Sequence, residues 1–263
     1  MIPFIKLTIF ILYSLSSLFY IFFFLNRETK RKKMGRIFFI IAFSLQFFFI
    51  IFVVSKIGYI PFSNGINALS FSGFLVAAAY LLMTLFSKSD SFSFLIVPFV
   101  AISQFLYIFT EKFPSKLSGI FDSSWFQIHV SFALLSFSSF LFGFIASVLY
   151  LMLYRELERK NFGRFYFGLD SLDELNKNLT YSTLLGVIFL IFAIYTGHGW
   201  LNEVKGSVKG ISTRIYASYF TLLVYATLLF LKFGKRVSGK KISLLSIMGF
   251  FLMVVAFAFG GTH

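Results

Sequence analysis

The residues of this 263-residue chain best suited to chemistry are its three histidines, His129, His198 and His263. Neutral imidazole ligates zinc, copper or haem iron. Zinc asks for three or four ligands close together, often at HxxxH or HExxH spacing, and these histidines lie 65 to 69 residues apart with no such motif. Haem asks less of any one segment. It needs one or two axial imidazoles from separate elements, a flat aromatic cover, and cations for its propionates. The stretch Gly197–Gly206 reads as a short polar loop between apolar segments. It holds His198, Asn202, Glu203 and Trp200, one of only two tryptophans. Trp125, Phe126 and Tyr195 extend the cover, and Lys205, Lys209 and Arg214 offer positive charge. Plainer roles suit the same residues: tryptophans as interfacial anchors, lysines in a solvated loop, histidines with no ligand. The chain has no cysteine, hence no disulfide, thiolate metal site or CxxC pair. Joining haem to thiols would have to occur on another protein. No side chain stands out as a catalytic acid, base or nucleophile.

The elements that must position these residues are membrane helices. Hydrophobic residues make up 58% of the chain and charged ones 13%, against about 25% charged in soluble domains. Mean hydropathy is +0.86. A helix needs about 20 apolar residues to span a bilayer, and eight stretches qualify: about Ile2–Leu25, Ile37–Ser55, Asn67–Ser87, Phe92–Thr110, Phe126–Tyr154, Leu179–Thr196, Ile215–Phe233 and Ile242–Phe259. The runs are too long and too continuously apolar for a β-barrel. The expected fold is therefore all-α, a polytopic helical membrane protein forming one domain over residues 1–263. The first stretch reads as a spanning helix rather than a cleaved signal peptide, because it is too long and lacks a basic start.

Charge sets the orientation. Seventeen of the 24 Lys and Arg fall on one side of this topology and seven on the other. The basic side faces the cytoplasm, so both termini and all three histidines face outward. The net charge of +14 thus reports topology and a lipid bilayer as partner, with no nucleic acid. On the fifth helix His129, Ala133, Ser136, Ser139, Gly143 and Ser147 share one face of small residues, suited to close helix packing in lipid. His129 then points into the bundle at its outer mouth. All Asp and Glu fall in loops and no Lys or Arg lies mid-helix, which argues against a transporter, pump or channel, and so against a small-solute permease. Residues 155–178 read as a cytoplasmic connector with a short amphipathic helix.

Several runs carry a family resemblance. His129-Val130-Ser131-Phe132-Ala133-Leu134-Leu135-Ser136-Phe137 resembles the "HVS-x-x-LLS" helix start of the CcsA/ResC family of cytochrome c assembly proteins and its HemX-like branch. Leu169-Asp170-Ser171-Leu172-Asp173 resembles the "LDxLD" segment of the HemX-like branch. Trp200-Leu201-Asn202-Glu203 with Gly206-Ser207 is similar to "W-x-N-E-x-x-G-S", and Gly261-Thr262-His263 to the closing "G-x-H". The resemblance covers about residues 65–263.

It implies a haem-handling assembly component in a bacterial inner membrane, with its histidine-bearing loops on the outer, periplasmic side. Haem b would be held there transiently and non-covalently for attachment to apocytochrome c. Implied axial ligands are His129 and His263, with His198 a further candidate. Trp200, Asn202, Glu203 and Gly206 carry over as the covering loop. Implied partners are the apocytochrome and a second membrane subunit with a large outer domain. Where the family loop ends in "WDPKE", this chain has Val208-Lys209-Gly210-Ile211-Ser212-Thr213. That departure moves it towards the HemX-like branch, and an accessory or regulatory role in haem metabolism without stable haem binding is the alternative.

Overall fold

A computed structural model describes residues 2–60, 65–87, 92–110, 123–160, 163–203, 213–234 and 237–259. The protein is a polytopic helical membrane protein. Among the described residues the elements are α1 Ile2–Asn26, α2 Thr29–Ile57, α3 Gly65–Ser87, α4 Ser93–Ile108, α5 Ser124–Glu158, α6 Arg164–Gly168, α7 Leu172–Glu203, α8 Thr213–Gly234 and α9 Gly239–Phe259. Six are long and apolar enough to cross a membrane by length and composition, and α4 is a shorter apolar helix. The chain divides into two compact units, residues 1–122 and 123–263.

In the first unit α1 packs on α2 and α4, and α3 packs on α4. Helix α2 stops at Gly58, whose left-handed φ of 81° lets its N–H reach the Val54 carbonyl. Polar side chains join the helices. The Tyr13 hydroxyl donates to Gln46 Oε1 at 2.9 Å, and the Ser70 hydroxyl to Gln104 Oε1 at 3.0 Å. Gln104 Nε2 donates back to the Ser70 carbonyl at 3.2 Å. Gln46, Asn67, Ser70, Gln104 and Tyr107 line a small cavity. Lys6 is a buried member of α1. Its ammonium donates to Thr110 Oγ1 at 2.8 Å and lies 4.0 Å from the centre of the Tyr107 ring.

The second unit is organised by the antiparallel pair α5 and α7. Their contacts recur at heptad steps: His129 meets Ala193, Ser136 meets Gly186, and Gly143 meets Leu179 and Ser182. The small-residue face read from α5 is thus the face that packs on α7. Helices α8 and α9 complete the unit, with α9 against α5 and α8 against α7 and α9.

Both central helices outrun their apolar stretches. At 1.5 Å per residue, the 35 residues of α5 span about 50 Å against a hydrocarbon core of about 30 Å. Hydropathy stops at the first charged residues, but Arg, Glu and Leu favour helix once in water. Arg155–Glu158 therefore stays helical, and residues 172–178 of the expected connector form the first turns of α7. Acidic residues drawn in loops, including Glu156, Asp173, Glu174 and Glu203, sit in helix ends.

Candidate functional site

The site is built where α5 begins and α7 finishes. The stretch read as a loop from Gly197 is helical as far as Glu203. Two glycines weaken a helix by about 1 kcal/mol each. Here both are covered by large side chains. A Cβ on Gly197 would lie 2.9 Å from His129 Nδ1, and one on Gly199 would lie 2.6 Å from Trp125 Cε3. Glycine at these positions lets the imidazole and the indole rest directly on the α7 backbone.

His129 is half-buried. Its Nδ1 lies 2.7 Å from the Ala193 carbonyl oxygen. A carbonyl only accepts, so Nδ1 carries the proton and donates. Nε2 then holds the lone pair, the form in which histidine ligates a metal, with its other nitrogen tied to a backbone acceptor. The Trp200 ring lies near-parallel to the imidazole, 12° between planes and 6.4 Å between centroids. Phe126 tilts against Trp200 at 5.0 Å, and Trp125 meets Tyr195 edge-on at 6.5 Å. Trp125 and Tyr195 are exposed, so this aromatic surface is open.

The ends of the two helices are tied together. Ser123 caps α5, its hydroxyl accepting from Trp125 N–H at 3.1 Å while donating to the Glu203 carboxylate. Glu203 and the neighbouring Asn202 are exposed. His198 sits on another side of α7. Its Nδ1 donates to the Ile194 carbonyl at 2.8 Å, and its Nε2 faces the Tyr219 hydroxyl of α8 at 3.4 Å. Its hydrogen-bond and ring partners are Ile194 and Tyr219 rather than members of the His129 group.

His129, Trp200, Phe126, Trp125 and Tyr195 are thus brought together, with Glu203 tied in through Ser123. Gly206, Lys205, Lys209 and His263 lie outside the described residues, as does the Arg214 side chain. Sequence reading missed Ala193 and Gly197. A signal for them was present, because Gly186, Ala193 and Gly197 repeat at 7 and 4 residues, which puts small residues on one face of α7. The residues present fit haem in part: one imidazole with a free, oriented Nε2 and flat aromatic surfaces beside it. Among the described residues no three His, Asp or Glu side chains converge as a cluster for a bare metal ion.

The model of the family described as cytochrome c assembly protein matches residues 3–260. Protein HemX of Bacillus subtilis (strain 168) is 26% identical, over 93% of this chain and 90% of the relative. Protein HemX of Brevibacillus brevis is 27% identical, over 95% and 92%. The cytochrome c biogenesis protein CcsA of Guillardia theta is 28% identical, over 76% and 73%. Matched from its first helix to its last, the chain belongs to the cytochrome c assembly protein family.

Proposed function

We propose that this protein serves cytochrome c biogenesis by holding haem, non-covalently and transiently, at the outer face of the membrane for transfer to apocytochrome c. The observation that carries the reading is His129: Nδ1 is engaged by the Ala193 carbonyl, Nε2 is left with its lone pair, and Trp200 lies parallel to the ring. His129 is the first axial ligand and His263 the second, with His198 in reserve. Trp200, Asn202, Glu203 and Gly206 belong to the cover. Haem b supplies the group that becomes joined to the apocytochrome thiols. The residues of this chain bind it, orient it and screen it, and none acts as a chemical catalyst. Both termini face outward, in a bacterial inner membrane, and a second membrane subunit with a large outer domain receives or presents the apocytochrome.

A second reading is favoured by two relatives called HemX, which this chain matches over more than nine-tenths of its length, and by the missing tryptophan-rich continuation after Gly206. It makes the protein an accessory or regulator of haem metabolism that retains no haem. One experiment separates the two. The protein is purified in mild detergent with haem supplied, and visible spectra are taken reduced and oxidised, beside a His129→Ala/His263→Ala double variant. A haem spectrum in the parent that is lost in the variant supports haem holding. A parent with no haem band leaves the accessory role. A band that survives the double variant sinks the ligand assignment.

A further inference from the structure

Five side chains buried in the second unit have polar atoms that meet no hydrogen-bond partner among the described residues. They are Asn178, through both amide atoms, and the hydroxyls of Thr183, Tyr225, Ser243 and Ser246. None is more than 3% exposed. Their neighbours behave differently. Ser138, Ser139 and Ser147 of α5, Ser182 and Thr196 of α7 and Thr221 of α8 each donate to a carbonyl one turn back, and Ser136 crosses to Gly186. Serine and threonine hydroxyls in a helix can satisfy themselves this way, so Thr183, Ser243 and Ser246 depart from the unit's own habit, while the Tyr225 hydroxyl is too far from its own backbone to follow it.

They also share a level. Lys232 of α8 donates to Asn176 Oδ1 of α7, and Lys240 of α9 pairs with Glu158 of α5. The start of α7, the end of α8, the start of α9 and the end of α5 therefore lie together. Counting 1.5 Å per residue from that end, the five fall within a band about 6 to 17 Å deep. Contacts relate three of them across helices. The Tyr225 ring stacks on Phe140 at 3.8 Å, and Phe140 covers Gly186, a turn from Thr183. The hydroxyl-bearing Cζ of Tyr225 is 3.6 Å from the Cβ position of Gly249, a turn from Ser246. On the α5 side, Thr183 Oγ1 lies 3.5 Å from the position a Cβ would take on Gly143.

Unmet polar groups in a low-dielectric interior are destabilising. Their chemistry names the occupant. Each side chain is neutral and both donates and accepts, and none is a carboxylate or an ammonium, so the set matches a neutral molecule that does the same. We propose that this band is an internal hydration site. Water enters the second unit from the lysine-bearing end and bonds Asn178, Thr183, Tyr225, Ser243 and Ser246. The opposite half, where Phe132 stacks between Phe189 and Phe192 below His129, stays dry.

The test is hydroxyl-radical footprinting of the full chain in lipid nanodiscs, which labels side chains next to bound water. Tyr80 is the control, 2% exposed and with its hydroxyl 3.4 Å from that of Tyr20. Tyr225 should be modified several-fold faster than Tyr80, and equal rates overturn the proposal. Apolar isosteres give a second readout. Thr183→Val and Tyr225→Phe should each lower the Tm by a few degrees, because they remove a partner of the water. An unchanged or higher Tm means that the groups were dry and overturns it as well.

Discussion

The two units handle buried polarity in opposite ways. In the first, long amides reach between helices: Tyr13 to Gln46, and Gln104 to Ser70 in both directions. In the second, most hydroxyls turn back on their own helix and the contact is made by side chains resting directly on the glycines Gly143, Gly186 and Gly197. Where lipid is the solvent, apolar burial gives helices little reason to associate, so packing and hydrogen bonds must do so. The first unit uses directional bonds and the second uses close fit. Only the second needs a surface that can hold an imidazole rigidly while leaving one nitrogen unused. A close-fitting helix pair provides that, because Gly197 admits the ring and Ala193 fixes its tautomer.

The contrast can be broken at its strongest point. Gly186→Ile should be the most damaging substitution considered. Even a Cβ would lie 2.5 Å from Phe140, whose ring is pinned by Tyr225. Overpacking of this kind costs about 1–3 kcal/mol, read as a lower Tm in detergent. Gly73→Ala in the first unit should cost less. The Cβ meets the Ser103 hydroxyl, which can rotate away where a stacked ring cannot. Gln104→Leu should lower stability by roughly 1 kcal/mol, since it strands the Ser70 hydroxyl. Combined with Gln46→Leu it should be non-additive, because both amides donate to the Ser70 carbonyl. A strictly additive double variant would show that these bonds do not act together.

Gly197→Ala sharpens the comparison on the functional side. Its Cβ would press on His129 Nδ1 at 2.9 Å and shift the ring off the Ala193 carbonyl. Haem retention in a spectral titration should fall while Tm moves little, and unchanged retention would detach Gly197 from ligand positioning. Glu28→Gln should have the smallest effect. It removes an exposed pair with Arg31, and such pairs contribute at most about 1 kcal/mol.

Much of this was legible in the residues. Among the described residues an apolar run underlies each long helix, and the α5 face from His129 to Ser147 named the packing surface before its partner was known. What hydropathy could not locate were the helix ends, because it measures where lipid stops, and α5 and α7 continue past that point. The Gly197 stretch misled for a related reason. Two glycines, a histidine and a tryptophan read as a loop when their neighbours in space are unknown. Lys6 shows the same limit from the other side: a cation near a terminus carries no sign in the sequence of the Thr110 and Tyr107 side chains found around it.

By itself the sequence determined the membrane-spanning class, the places of the apolar helices and His129 as a residue to watch. These follow from local composition and spacing, which need no partner. Only the tertiary structure decided that His129 gives Nδ1 to Ala193, that Trp200 lies parallel to it, and that His198 faces Tyr219. Each depends on residues 21 to 71 positions apart in the chain. The register of α5 against α7 brings the His129 group together, and the packing of α8 beside α7 sets His198 apart from it.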